Sequence, residues 1–196
     1  MPDIARYLTH PEVSIDPDRP VPDWSLSQRG RARVAALAAR PGALRATLRV
    51  VSSTEVKAME TAEPLARALG ITPRFRAGMH ENDRSATGFL PRARFEALAD
   101  RFFADPDVPV MGWETARAAQ TRIVTEVSHT LDAHRGGDLL FVGHGAVGTL
   151  LFCALSGLDI DRRNDQPDGG GQCFAFEIGT RRVIHGWQPM EHLSAT

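Results

Sequence analysis

The sequence has little cysteine, and it has no long apolar run. Its two cysteines, Cys153 and Cys173, do not form a CxxC pair, so we interpret them as small buried residues of a protein in a reducing compartment. No run approaches the roughly 18 apolar residues of a membrane span, and the segment that begins at Met1 shows no secretory signal. These absences predict a cytoplasmic protein that does not span a membrane.

The chain also has little net charge and almost no lysine. Its formal charge is −1 over 196 residues, which gives no reason to expect nucleic-acid binding. With 42% hydrophobic residues, the length predicts a single domain over residues 1–196 with a packed core. Lys57 is the only lysine, beside 22 arginines, so its position in the chain is of interest.

Apolar patterning predicts strands that alternate with helices. Four short apolar segments are expected to be strands: 4–9, 48–52, 72–75 and 139–142. Helical periodicity and helix-stop residues predict helices after Ser25 or Ser27, up to Gly70, at 92–104, at 113–134 and after Gly143. A glycine-rich loop at 168–171 is followed by a predicted hairpin of residues 172–178 and 181–187. The alternation predicts an α/β fold, a three-layer α/β/α sandwich.

Three turns that follow predicted strands carry polar side chains, among them His10, Lys57 and His144. Because ligands of open α/β sheets bind beyond the carboxyl ends of the strands, we expect these side chains to meet. A neutral imidazole can attack phosphorus, and the N–H groups of a helix N-terminus attract an anion. A cation such as Lys57 is disfavoured in a first helical turn by roughly 0.3–1 kcal/mol unless an anion lies nearby. The pattern favours a phosphate site.

Glu81 is the candidate proton donor for a leaving oxygen in such a site. The sequence contains neither GxGxxG nor GxxxxGK[ST], so dinucleotide and P-loop sites lack support. Two other interpretations stay open. Each histidine could be an ordinary hydrogen-bonded loop residue, or a zinc site for hydrolysis could form from His10, His80, Asp83 and His144.

Six segments, in order along the chain, resemble the motifs of the histidine phosphatase superfamily, also called the phosphoglycerate mutase-like family. The segments are Thr9-His10-Pro11-Glu12, Leu26-Ser27-Gln28-Arg29-Gly30, residues 52–66, His80-Glu81-Asn82-Asp83, Gly112-Trp113-Glu114-Thr115 and Phe141-Val142-Gly143-His144-Gly145. The resemblance implies a phosphoglycerate mutase-like fold with a mostly parallel central sheet. It also implies a phosphomonoester hydrolase that acts on a small phosphorylated metabolite through a phosphohistidine, without a metal or organic cofactor.

The resemblance assigns roles to individual residues. It implies His10 as the nucleophile, His144 as a phosphate-contacting partner and Glu81 as the proton donor. Lys57 stands in the place of a phosphate-binding arginine, and Gly145 follows the second histidine in the last motif, so both are expected to bind the substrate.

Three positions depart from the family pattern. Thr9 stands where the family has arginine, Pro11 where it has glycine, and Lys57 where it has a second arginine. The Thr9 hydroxyl, predicted to bind substrate, cannot replace a bidentate guanidinium, and Pro11 removes an N–H donor. Arg84, or alternatively Arg92, could supply the missing cation. The departures leave an alternative open, in which a weak or inactive family member binds a phosphorylated ligand or a partner protein.

Overall fold

The structure, a computed structural model, describes residues 2–167 and 169–194 of the chain. Residue 168, with which the predicted glycine-rich loop begins, lies outside the described residues, as do residues 1, 195 and 196 of the predicted domain. The strands are β1 (Ile4–Thr9), β2 (Thr47–Ser53), β3 (Arg74–Arg76), β4 (Asp138–Gly143), β5 (Gln172–Glu177) and β6 (Val183–Pro189). The α-helices are α1 (Gln28–Ala39), α2 (Val56–Ala68), α3 (Arg92–Ala104), α4 (Ala116–Asp132) and α5 (Gly145–Ser156).

The strands form one sheet in the order β3-β2-β4-β1-β5-β6. Strands β1, β2, β3 and β4 pair in parallel, whereas β5 and β6 continue the sheet as an antiparallel hairpin. The predicted α/β fold with a mostly parallel sheet is thereby confirmed. Because β1, β2 and β4 are parallel, the residues that follow them lie at one edge of the sheet.

Helices cover both faces of the sheet, as a three-layer sandwich requires. On one face, Tyr7 and Phe141 pack with apolar residues of α3, α4 and α5. On the other face, Leu8 and Val142 pack with α1 and α2. Neighbouring strand residues therefore point to opposite layers, and each layer buries its own apolar cluster.

Local sequence accounts for most of the element boundaries. Helix α1 begins after Ser27, whose hydroxyl accepts the Gly30 N–H at 3.1 Å, as an N-cap residue does. The third strand was predicted at 72–75 but runs from Arg74 to Arg76, because Pro73 has no N–H to donate to a strand ladder. The other predicted strands and helices are confirmed with ends shifted by a few residues.

The segment after β1 is fixed against α1 by a close backbone contact. A Cβ atom on Gly30 would lie only 2.3 Å from the Glu12 carbonyl oxygen, so this position requires glycine. The Ser27 N–H donates to the same carbonyl at 2.8 Å. This contact fixes the backbone two residues beyond His10.

Both cysteines are free and buried, Cys153 in α5 and Cys173 in β5. The prediction of two buried small residues is confirmed. Within residues 2–167 and 169–194, no helix is both long enough and apolar enough to cross a bilayer.

Candidate active site

Two histidines meet at the sheet edge formed by the carboxyl ends of β1 and β4. The His10 N–H donates to the Gly143 carbonyl at 2.9 Å, which aligns the end of β1 with the start of α5. The imidazole rings of His10 and His144 lie 5.3 Å apart, with an angle of 69° between their planes. The structure therefore brings together the two histidines that the sequence placed 134 residues apart.

The His10 imidazole is held with one nitrogen free. Nδ1 lies 2.9 Å from the Pro11 carbonyl oxygen, and because a carbonyl can only accept, Nδ1 carries the hydrogen. Nε2 then holds a lone pair. Burial lowers the pKa of His10 to about 4; the Pro11 carbonyl opposes this shift and Lys57 adds to it. His10 is therefore neutral near pH 7, as a nucleophile must be.

His144 is fully buried and has one unpaired nitrogen. Its Nε2 lies 2.8 Å from the Ser53 hydroxyl and 3.7 Å from a Glu55 carboxylate oxygen. Ser53 Oγ also accepts the Glu55 N–H at 3.2 Å; when its own hydrogen is donated to Nε2, the hydrogen of a neutral His144 is on Nδ1. Nδ1 has no hydrogen-bond partner among the described residues. A buried polar atom without a partner is costly, and in the tautomer with the hydrogen on Nδ1 a bound anion would satisfy it.

Lys57 reaches the same site but is already paired. It is only 4% exposed, and its ammonium donates to the Val21 carbonyl at 2.9 Å and forms an ion pair with Glu55. Burial would raise the pKa of Glu55, but His144, Lys57 and the Glu81 N–H, which donates to Glu55 at 2.8 Å, together lower it to about 2. The charge of Lys57 is balanced by a carboxylate before any ligand binds.

Glu55 is the main site residue that the sequence analysis did not single out. Its position in the sequence is the signal that could have identified it, because it lies two residues after Ser53 and two residues before the only lysine. That spacing alone does not predict the ion pair, because helical neighbours usually pair at three or four residues. Glu55 pairs with Lys57 because it precedes the first turn of α2, where the chain is still extended.

Glu81 lies against the N-terminus of α5. Its carboxylate accepts the N–H groups of Asn82 (3.0 Å), Val147 (3.1 Å) and Ala146 (3.3 Å). Burial raises the pKa of Glu81, and the charge of Glu55 raises it further, although the Asn82 and Val147 N–H groups oppose the shift. A carboxyl group with a raised pKa is suited to donating a proton.

An internal arginine holds the loop that carries Glu81. Arg122 donates to the carbonyls of His80 (2.9 Å) and Glu81 (3.3 Å) and forms a 2.7 Å ion pair with Glu114. The Glu114 N–H in turn donates to the Asp83 carbonyl at 2.8 Å. The segment at 112–115, quoted above only for its resemblance, therefore fixes the position of the candidate acid. Arg122 was missed because 41 residues separate it from Glu81.

The metal alternative receives no support from these positions. Nδ1 of His80 lies 2.6 Å from the Glu81 carbonyl oxygen, and the Asp83 carboxylate accepts the Ser85 N–H at 2.9 Å. In the part of the chain that the structure describes, no group of three or more His, Cys, Asp or Glu side chains could hold a metal ion.

A cavity of about 250 Å³ joins the candidate residues. His10, Lys57, Glu81, Arg84 and Gly145 all line it. The Arg84 guanidinium stacks on the ring of Phe95 at 4.7 Å and forms neither a hydrogen bond nor an ion pair with another described residue. Burial lowers the pKa of Arg84, opposed by the charges of Glu81 and Glu55. Of the two arginines considered as the missing cation, the one in this cavity is Arg84.

Thr9 does not line this cavity, because its side chain is fully buried. Its hydroxyl donates to the Gln166 side chain at 2.6 Å and accepts the Gln172 N–H at 3.0 Å. Gln166 is a cavity residue, and a Cβ atom on Gly145 would lie 2.4 Å from its amide nitrogen. Thr9 therefore supports the cavity wall through Gln166, and its predicted contact with substrate remains a prediction.

Comparison with protein families matches residues 18–175 to the histidine phosphatase superfamily (branch 1). A search of curated proteins gives no match. The matched residues form more than half of the chain and include five of the six motif segments named above.

Solved structures share the fold at low sequence identity. A mycobacterial glucosyl-3-phosphoglycerate phosphatase superimposes with a TM-score of 0.78 at 19% identity, over 95% of this chain and 99% of its own. A phosphoserine phosphatase from Entamoeba histolytica, in complex with 3-phosphoglyceric acid, gives 0.78 at 14% identity over 97% and 99%. YhfR from Bacillus stearothermophilus gives 0.77 at 22% identity over 94% and 95%.

Proposed function

Since this chain belongs to the histidine phosphatase superfamily, we propose that it is a phosphomonoester hydrolase that acts on a small phosphorylated metabolite through a phosphohistidine intermediate. The observation that carries the proposal is the free Nε2 of a neutral His10, in one cavity with a carboxyl group of raised pKa, Glu81. Structural neighbours were solved with inorganic phosphate and with 3-phosphoglyceric acid, which supports a phosphorylated ligand. The cytoplasmic location stays a prediction.

The first step transfers the phosphoryl group to His10. Nε2 attacks phosphorus, the phosphorus–oxygen bond to the alcohol breaks, and Glu81 gives its proton to the leaving oxygen. The Nδ1 hydrogen bond to the Pro11 carbonyl stabilises the positive charge that develops on the ring.

The second step releases phosphate. The Glu81 carboxylate, which has lost its proton, takes one from a water molecule that attacks phosphorus. The phosphorus–nitrogen bond breaks, its electron pair returns to Nε2, and inorganic phosphate leaves. His10 and Glu81 are then in their starting protonation states.

Donors around the cavity bind the phosphoryl oxygens in this proposal. Arg84 offers a guanidinium without a carboxylate partner, and His144 offers an unpaired Nδ1. The Gly145 N–H lies in the first turn of α5, where backbone groups attract anions. Lys57 contributes charge, which Glu55 partly offsets. These groups neutralise the charge of the transition state.

A specific observation also favours the second candidate function, a weak or inactive member that binds a phosphorylated ligand or a partner protein. Two acidic side chains already use groups that an incoming phosphate would need: Glu55 pairs with Lys57, and Glu81 accepts N–H groups of α5. A phosphate must compete with both side chains. Anion affinity is therefore expected to be lower than in a pocket with two free arginines.

A hydrolysis assay with an aryl phosphate, run with a chelator present, separates these candidates. The natural chain should release phosphate at a rate that the chelator does not change, and His10→Ala should release none above background. Anion binding without turnover in the natural chain would favour the binding function instead. Loss of turnover on chelation would overturn the metal-free mechanism.

A further inference from the structure

A larger groove opens from the catalytic cavity. It has a volume of about 890 Å³, within the usual range for small-molecule sites. The groove and the cavity share five lining residues: Trp24, Arg84, Phe95, Glu96 and Gly169. A phosphomonoester with its phosphoryl group at His10 would therefore extend its alcohol part past Arg84 into this groove.

Most charged side chains of the groove form ion pairs within the protein. Their ion pairs are Arg29–Glu12 (3.0 Å), Arg33–Glu12 (3.1 Å), Arg33–Glu191 (2.7 Å) and Arg162–Glu96. Arg92 is not free either. Arg29 is 80% exposed beside Glu12, whereas Arg84 forms no ion pair with another described residue and lies at the end of the groove nearest the phosphoryl group.

The surface that remains available in the groove is aromatic and aliphatic. Phe89 is 36% exposed although its ring packs 5.9 Å from the ring of Trp24. Phe95 carries the Arg84 guanidinium on its face, and Ile15 is 61% exposed. Exposed apolar side chains that border a catalytic cavity mark a site for an apolar part of a ligand.

We propose that this groove selects phosphomonoesters whose alcohol part is bulky, uncharged and aromatic or similarly flat. The proposal rests on the hydrolase function proposed above and narrows its substrate class. A substrate with a carboxylate on the alcohol, such as 3-phosphoglyceric acid, would bring a second anion into a groove where Glu12, Glu96 and Glu191 already pair with arginines. That carboxylate would have to compete with these glutamates for a cation. A flat ring would instead cover Phe89 and Ile15.

The test compares three alkyl phosphates, so that the leaving oxygens are of similar chemistry. The substrates are 2-phenylethyl phosphate, glycerol 3-phosphate and 3-phosphoglycerate. We expect kcat/KM to be at least about tenfold higher for 2-phenylethyl phosphate than for either of the others, because its ring buries apolar area in the groove.

Two phenylalanines of equal exposure provide the matched variants. Phe89 lines the groove, whereas Phe75 lies on β3 outside it, and each is 36% exposed. Phe89→Ala should lower kcat/KM for 2-phenylethyl phosphate by about tenfold and leave glycerol 3-phosphate unchanged. Phe75→Ala should change neither.

The outcomes separate the substrate class from the hydrolase function. If all three esters are hydrolysed but 3-phosphoglycerate is preferred, or if Phe89→Ala has no selective effect, the substrate class is wrong and the hydrolase function stands. If none of them and no aryl phosphate is hydrolysed, the hydrolase function is wrong and the substrate class is overturned with it.

Discussion

From the buried ion pair of Glu55 and Lys57 we predict how Glu55→Gln changes both the free energy of unfolding and the affinity for inorganic phosphate. Glu55→Gln keeps the shape of the side chain and an oxygen that can accept the Glu81 N–H, but it leaves the buried Lys57 without its carboxylate. Breaking such a pair from one side typically costs about 3–5 kcal/mol. The same substitution should tighten the binding of inorganic phosphate, because an unpaired ammonium then faces the cavity.

The lowered pKa of Glu55 gives a second value for the free energy that this ion pair contributes to folding. A fall from the ordinary 4.5 to about 2 corresponds to about 3 kcal/mol of stability at neutral pH. Because the folded-state pKa is the lower one, this contribution is present above pH 4.5 and is lost as the pH falls towards 2. The unfolding free energies of the natural chain and Glu55→Gln should therefore differ at pH 7 and converge near pH 2.

Thermal unfolding followed by circular dichroism, with phosphate binding by calorimetry, measures both effects. For a chain of this length, 3 kcal/mol lowers Tm by about 10 °C. Phosphate affinity should rise by about tenfold. Glu63→Gln is the matched control, since Glu63 is exposed on the same helix and forms no ion pair with another described residue.

Together with the two single variants, Glu55→Gln/Lys57→Met completes a double-mutant cycle. Replacing both partners removes the buried charges together, so it should unfold at a higher temperature than either single variant. It should also bind phosphate more weakly than the natural chain, because the cation is gone. A Glu55→Gln variant with Tm within about 2 °C of the natural value and unchanged phosphate affinity would refute this reasoning.

Three further predictions concern the reacting groups. Glu81→Gln should slow hydrolysis of alkyl phosphates far more than that of nitrophenyl phosphate, because a basic leaving oxygen needs the proton. An equal loss of kcat for both kinds of substrate in steady-state assays would show that Glu81 is a structural residue. The pH profile of kcat/KM should fall below about pH 4, where His10 becomes protonated, and should fall again above the raised pKa of Glu81, where the acid has lost its proton. A profile that shows no fall on its alkaline side would contradict these roles. Arg84→Ala should lower kcat by on the order of 10²-fold with an unchanged circular dichroism spectrum. The exposed control Arg74→Ala should keep full activity, and Arg84 is not a phosphoryl contact if the two variants behave alike.

The fold could be predicted from the sequence because its signals are local. The continuous apolar run before Gly143 predicts a strand buried on both faces, and β4 is buried along its whole length. The start of α1 was predicted after Ser25 or Ser27, and Ser27 is the residue that caps the helix. The third strand, predicted near 72–75, begins two residues later at Arg74, because Pro73 has no N–H to donate to the strand ladder.

The site could be predicted only in part. The meeting of His10 and His144 follows from strand ends in a parallel sheet, a rule that needs no side-chain detail. The partners of these histidines could not be foreseen, because they depend on contacts between distant segments. Nε2 of His144 meets Ser53 across 91 residues, and the loop of Glu81 is held by Arg122 from another helix. Such long-range contacts leave no periodic signal in the sequence.

Trapping of the phosphoenzyme shows whether the phosphoryl group passes through His10. The natural chain would be mixed with a ³²P-labelled phosphomonoester, quenched in alkali during turnover and digested for peptide mapping. We expect acid-labile label on the peptide that contains His10, and none on His10→Ala under the same conditions. Label of equal amount on both proteins, or steady turnover with no label on either, would contradict a mechanism through His10.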